Sequence, residues 1–236
     1  MSIFSFKQFT INQGKCAMKV CTDSCLFGAM VEVDDKVKYI LDIGTGTGLL
    51  ALMLAQKTAY CNIQAIEIEQ NAANQAIENI NNSPWKDRIK TLHISLQEFV
   101  NQSDNLFDLI ICNPPFFEKN LKSENKKENL AKHNDSLTFE ELITGVNVLM
   151  ANEGVFWILL PPYEMEQFVR KANNNKLFLN KSIYISNRKQ EKPFRIISKF
   201  QKISKPIPDN SIVIYNSDNT LTSDFIKFLK EYYLYL

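Results

Sequence analysis

The chain has 236 residues, 45% of them hydrophobic and 22% charged, with a formal net charge of +1. That suits one well-buried globular domain, and no apolar run approaches the roughly 18 residues that cross a bilayer. The start, MSIFSFKQFT, lacks the apolar core of a secretory leader, so export is not expected and a cytoplasmic location is.

Residues 1–38 precede the first core strand that the pattern predicts. They hold three of the five cysteines, Cys16, Cys21 and Cys25, in a C-x4-C-x3-C spacing. An odd cysteine count without a leader argues against a disulfide framework. The spacing differs from that of an iron–sulfur site, and there are only two histidines, His93 and His133, so no metal is expected. The cysteines read as small buried hydrophobes.

From Tyr39 the chain alternates. YILDI (39–43) predicts a short strand, GTGTG follows, and a helix is expected over 49–56. NIQAIEIE (62–69) predicts a second strand, with helical composition over 71–81. RIKTLHIS (88–95) and LFDLIIC (106–112) predict two more strands, 138–150 a helix, and GVFWILL (154–160) a fifth strand. Strands and helices alternating at this spacing indicate a doubly wound α/β fold, a mostly parallel sheet with helices on both faces. After Leu177 the pattern changes to a hairpin of 177–186 with 194–204, another strand at 211–215, and a terminal helix from Ser223. No repeat or low-complexity linker interrupts the chain, so residues 1–236 read as one domain.

In such sheets ligands bind beyond the carboxyl ends of the strands. Three unusual features fall there. Asp42 leads into Gly44, Gly46 and Gly48, three of seven glycines in the chain. Glycine lets the backbone turn tightly and approach a ligand. Glu67 ends the second strand, where an acid that holds ribose hydroxyls is expected. Together these point to an adenosine-type cofactor without choosing between a nicotinamide dinucleotide and S-adenosylmethionine. The third feature, Asn113-Pro114-Pro115-Phe116, favours the latter. A planar amino group is a poor nucleophile because its lone pair is delocalised. Two acceptors aimed at its N–H bonds, the Asn113 side-chain oxygen and the Pro114 carbonyl, would localise that pair and stabilise the charge formed on methylation. Prolines hold the carbonyl in place, and Phe116 can stack on the target ring.

Asp42 to Gly48 together with Asn113 to Phe116 resembles the class I S-adenosylmethionine-dependent methyltransferases of the N-P-P-[YF] kind, over about residues 15–160. The N-terminal string FKQFTINQGKCAMKVCTDSCLFGA and the end EYYLYL are similar to the bacterial tRNA1(Val) adenine-37 N6-methyltransferases, over essentially the whole chain. The resemblance implies a seven-stranded, mostly parallel Rossmann-like sheet with an antiparallel C-terminal strand, and methylation of the adenine beside an anticodon. It implies that Asp42, Gly44, Gly46 and Gly48 line the cofactor, that Glu67 holds its ribose, and that Leu96 and Gln97 border its adenine. Ser95 stands where such enzymes often have Asp. Residues 1–38 would cover the cofactor through Lys19 and Asp23, and Asn113, also next to the cofactor, would present the target with Pro114 and Phe116.

The same motif serves the amines of DNA bases and the side-chain amide of glutamine in proteins. Glutamine enzymes usually have Tyr after the prolines and an extra N-terminal domain; DNA enzymes usually carry a target-recognition domain. RNA is what remains, and the partner expected is a tRNA, with a monomeric enzyme favoured. Methylation of a protein glutamine and a non-catalytic S-adenosylmethionine-binding protein stay as alternatives. Charge supports RNA: between Lys181 and Lys205 there are eight Lys/Arg and one Glu, a local net of +7 that leaves the rest at −6. Arg188, Lys189, Lys192, Arg195 and Lys199 are candidate phosphate contacts, with a solvated strand face as the other reading. Phe117, Lys132 and His133, near the motif or in the basic segment after it, are further candidates for RNA contact.

Overall fold

The computed structural model describes residues 3–16, 19–114 and 137–236. Pro115, Phe116, Phe117, Lys132 and His133 therefore lie outside the described residues. The chain begins with a small antiparallel hairpin, β1 (Ile3–Ser5) and β2 (Thr10–Asn12), followed by α1 (Thr22–Met30). The predicted alternation then appears as β3 (Tyr39–Ile43), α2 (Leu49–Lys57), β4 (Asn62–Glu67), α3 (Gln70–Asn81), β5 (Ile89–His93), α4 (Leu96–Gln102) and β6 (Phe107–Cys112). After residue 137 come α5 (Phe139–Leu149), β7 (Met150–Leu160), α6 (Pro162–Asn174), β8 (Phe178–Ser186), β9 (Arg195–Gln201), β10 (Asn210–Val213) and α7 (Ser223–Leu229).

Both faces of the sheet are covered because its strands are apolar on both sides. Ile40, Leu109, Ile111, Trp157 and Leu159 pack in one core with α1, α2 and α7 and part of α3. Leu41, Ile43, Ile110, Phe156 and Ile158 pack in a second core with α4, α5 and α6. Alternate residues of one strand enter opposite layers, as a period of two requires.

The main sheet has the order β10-β8-β9-β7-β6-β3-β4-β5. Pairing is parallel except where β9 meets β7 and β8, so β9 alone runs against the other strands. The expected doubly wound, mostly parallel sheet with an antiparallel strand is present, and so is the predicted hairpin. The strand predicted at 211–215 appears as β10, which pairs with β8 at the edge and makes eight strands where the resemblance implies seven.

From β3 the chain steps outward to β4 and β5, then returns to β6 on the other side of β3. The strand order reverses between β3 and β6, which opens a crevice at their carboxyl ends. The glycine loop leaves β3 there, and Asn113 follows β6.

Candidate active site

Gly44, Gly46 and Gly48 have φ of 69°, 57° and 82°, a region that glycine enters without steric penalty. The loop is stitched to the end of β4. The backbone N–H groups of Gly44 and Thr45 donate to the Ile66 carbonyl at 2.9 and 3.1 Å. The Gly46 N–H donates to Glu67 Oε2 at 2.9 Å, and the Glu69 N–H to Oε1 at 3.0 Å. Each Glu67 oxygen is thus fixed by one backbone donor and keeps a lone pair for another. A Cβ on Gly44 or Gly46 would meet nothing within 4 Å, so the loop borders open space.

Asp42 is fully buried. Its Oδ2 accepts from the Thr45 hydroxyl at 2.6 Å, while Oδ1 has no partner among the described residues. Burial pushes its carboxyl up to about 7, against the Thr45 hydroxyl and the Ala51 N–H and with the help of the Glu67 charge. Asn113 is 8% exposed. Its Nδ2 donates to Ser24 Oγ at 3.4 Å, and its Oδ1 has no partner among the described residues. Pro114 is buried beside it. An unpaired buried acceptor costs about 1–3 kcal/mol. Two of them, on β3 and directly after the neighbouring β6, lie together at the switch point, where a ligand with donors would satisfy them.

Other predicted residues have different surroundings. The Lys19 ammonium donates to the carbonyls of Gln13 and Cys16 at 2.6 and 2.8 Å, tying its own segment together. The Asp23 carboxylate pairs with Arg195, whose Nε lies 2.8 Å away. The Leu96 side chain is buried in the second core, where Gly145 lets α5 come close. Gln97 is exposed and donates to Glu141 at 3.0 Å. Ser95 starts α4 through a reciprocal cap with Glu98, so this position serves the helix end here.

The basic stretch separates into three groups. Arg188, Lys189 and Lys192 lie exposed in the β8–β9 loop, on the same rim as the glycine loop and Asn113. Arg188 is partly engaged, by Glu191 at 3.3 Å and Asn219 at 2.6 Å. Arg195 starts β9 on that rim and pairs with Asp23. Lys199 and Lys181 lie within the strands and converge on Glu32 at 3.2 and 2.6 Å. Burial alone would raise the Glu32 carboxyl, but these two ammonium groups bring it below its usual value. Lys199 and Arg195 are therefore engaged in ion pairs within the protein, which the expectation of a phosphate strip did not include.

Three positioning groups have no strong local signal in the sequence. Asn79 on α3 is buried; its amide accepts from the Asn12 N–H and donates to the carbonyls of Asn12 and Thr47 at 2.9, 2.9 and 2.8 Å. It clamps the N-terminal hairpin to the glycine loop. Gln75, one turn earlier, accepts from the Lys15 N–H at 3.3 Å. Ser24 faces Asn113. The i, i+4 spacing of Gln75 and Asn79 reads as a polar helix face until β2 is seen packed over it.

The crevice offers Asp42 Oδ1, the Glu67 carboxylate and Asn113 Oδ1 as acceptors to a ligand that carries donors. The sheet order and this switch-point geometry place the protein among the S-adenosylmethionine-dependent methyltransferases. The model of the methyltransferase small domain matches residues 17–159. In fold the chain is similar to a predicted O-methyltransferase from Agrobacterium tumefaciens, with TM-score 0.70, 15% identity and coverage of 88% of this chain and 95% of that one. It is also similar to the glycopeptide N-methyltransferase MtfA complexed with S-adenosyl-L-methionine, with TM-score 0.56, 11% identity and coverage of 76% and 93%. Sequence relatives carry the name tRNA1(Val) (adenine(37)-N6)-methyltransferase. One from Dyadobacter fermentans is 44% identical over 98% of this chain and 97% of its own length. One from Haemophilus influenzae is 41% identical over 99% of both. The chain belongs to the tRNA1(Val) (adenine(37)-N6)-methyltransferase family.

Proposed function

We propose that this protein methylates the N6 amine of an adenine in tRNA, adenine 37 of a tRNA1(Val), as its relatives are named for. The observation that carries the reading is the buried, unpartnered Oδ1 of Asn113, with Pro114 directly after it at the switch point. S-adenosylmethionine supplies an electrophilic methyl carbon bound to a sulfonium.

In this reading Glu67 accepts hydrogen bonds from the ribose hydroxyls with the lone pairs that Gly46 and Glu69 leave open. Asp42 Oδ1 faces the amino-acid end, and the positive-φ turns of Gly44 and Gly46 keep the loop open for it. Residues 1–38 cover the bound molecule, with the Asn79 clamp holding them in place. Asn113 Oδ1 and the Pro114 carbonyl accept from the two N6 hydrogens, which directs the nitrogen lone pair toward the methyl group. They favour the cationic transition state more than the neutral amine, which is the condition for catalysis. The proton is then lost to water without a dedicated base. Phe116 and Phe117 are proposed to stack on the extruded base, with His133 and Lys132 close to its nucleotide. Arg188, Lys189 and Lys192 rim the same opening and would meet phosphates of the anticodon arm.

Among the described residues no helix is long and apolar enough to cross a membrane, and no group of three or more His, Cys, Asp or Glu could hold a metal ion. The reading expects a cytoplasmic enzyme that works on free tRNA. Radiolabelled S-adenosylmethionine incubated with protein and, in parallel, total tRNA, DNA and a protein fraction tests it. Label is expected in tRNA, recovered as N6-methyladenosine after nuclease digestion. Label in protein glutamine instead, or in no fraction, overturns the assignment.

A further inference from the structure

The first turn of α1 lies directly over Asn113, and its polar groups form a chain that reaches the basic hairpin. Asp23, Ser24 and Asn113 are 9%, 5% and 8% exposed, so water does little to order them. The Arg195 guanidinium donates from Nε to Asp23 Oδ2 at 2.8 Å and from Nη1 to the Phe194 carbonyl at 3.0 Å. Asp23 Oδ1 accepts from the Ser24 N–H at 3.0 Å. Ser24 Oγ lies 2.7 Å from Cys21 Sγ and accepts from Asn113 Nδ2 at 3.4 Å.

A primary amide has one acceptor end and one donor end, and turning it over exchanges them. The amine-aligning role proposed above requires the acceptor end to face the target. Ser24 Oγ accepts from Nδ2, while the hydrogen of either Ser24 or Cys21 fills the contact between Oγ and Sγ; the donor end of the amide is thus occupied and Oδ1 is left buried without a partner among the described residues. Turned over, the amide would aim two N–H donors at an amine whose own N–H bonds need acceptors. The choice matters because the side chain is buried, where an unmatched donor or acceptor costs more than at the surface.

We infer that Ser24 is a positioning residue for the methyl transfer: it sets the amide orientation of Asn113 and is itself held by the Asp23–Arg195 ion pair. This rests on the proposed role of Asn113 and adds a partner to it. It also connects the mouth of the basic hairpin to Asn113 through the Asp23 carboxylate, the Ser24 backbone N–H and the Ser24 hydroxyl, across 172 residues of sequence between Asp23 and Arg195.

The test is Ser24→Ala, compared with wild type by single-turnover methyl transfer, by calorimetry with S-adenosylmethionine, and by nuclear magnetic resonance of the Asn113 side-chain amide. The expected result is a maximal rate lower by about fivefold, the effect of one net hydrogen bond. Affinity for S-adenosylmethionine and the KM for tRNA should stay within about twofold. In the protein without ligand, the Asn113 Nδ2 hydrogens should exchange with solvent at least several-fold faster in Ser24→Ala, while backbone amides of β3 and β6 keep their protection. Arg195→Ala should speed the same exchange less, since it acts one residue further away. Unchanged Asn113 exchange in Ser24→Ala overturns the inference, whatever the activity. Faster exchange with an unaltered maximal rate also overturns it, because orientation would then be set by the substrate. If wild type itself transfers no methyl group to tRNA, the proposed function fails, and the exchange measurement still decides whether Ser24 holds the amide.

Discussion

The switch-point crevice and the basic hairpin share one rim and use polar residues in opposite ways. In the crevice, Asp42, Glu67 and Asn113 are each held by internal partners and keep an acceptor in reserve. In the hairpin, three of the charged groups that stand out in the sequence, Lys181, Arg195 and Lys199, are paired inside the protein with Glu32 and Asp23. Lys189 and Lys192 instead extend into solvent on the rim, and Arg188, also exposed there, is engaged by Glu191 and Asn219. The comparison teaches that a count of charges does not reveal which are available. Burial with a missing partner is the more informative signal, because it is costly unless something else supplies the partner.

If that contrast is right, the largest effect belongs to the crevice. Asn113→Ala should lower the methyl-transfer rate by roughly 10²–10³, the usual effect of removing one preorganised partner from a transition state, while calorimetry shows S-adenosylmethionine affinity within a few-fold of wild type. A near-normal rate would break the link between an unpartnered acceptor and catalysis.

The next effect is on stability. The Asp42 carboxyl is raised from 3.8 to about 7 by burial, so the folded protein binds this proton more tightly than the unfolded chain does. The group's stabilising contribution is complete below pH 4 and is lost as pH rises through 7. It amounts to at most about 1.4 kcal/mol per pH unit within that window. Urea titrations of the ligand-free protein between pH 4 and 7 should show Asp42→Asn gaining on wild type as pH rises. Parallel curves would mean that Asp42 is ionised in the fold at little cost.

Glu67→Ala should weaken S-adenosylmethionine binding about tenfold or more, since hydrogen bonds to a charged group contribute about 1.5–3 kcal/mol and the Gly46 anchor disappears with them. Calorimetry on the variant checks this.

The hairpin should show the smallest and most selective effects. Neutralising Lys189 and Lys192 together should raise the KM for tRNA several-fold. It should also flatten the salt dependence by roughly 0.7–0.9 in log–log slope for each phosphate no longer neutralised. Melting temperature and S-adenosylmethionine affinity should not move. Arg195→Ala, by contrast, should lower the melting temperature, because it leaves the buried Asp23 carboxylate without its counter-ion. Equal behaviour of the lysine pair and Arg195 would erase the distinction between surface and structural charge.

Much was legible in the sequence alone. Strand and helix periodicity is a local property, and it determined β3 to β7, α2, α3 and the late hairpin to within a few residues, apart from the start of β7, which lies at Met150 rather than 154. The glycine loop, Glu67 and the Asn113-Pro114 pair are contiguous motifs that need no partner to be noticed. Helices α1, α4 and α6 were not among the predicted elements. In α1 seven of nine residues are buried, including Asp23, Ser24 and Gly28, so it has no polar face to mark its period. In α4 there are only seven residues, and α6 begins at a pair of prolines. Only the tertiary structure decided which charges are free and which are tied, that Asn79 clamps the N-terminal hairpin over the glycine loop, and that Ser24 meets Asn113 across 89 residues. Each of these depends on two distant segments arriving at one place. Hydrophobic pattern and turn chemistry encode the arrival of the segments; the pairing of individual polar atoms follows only from the geometry they reach.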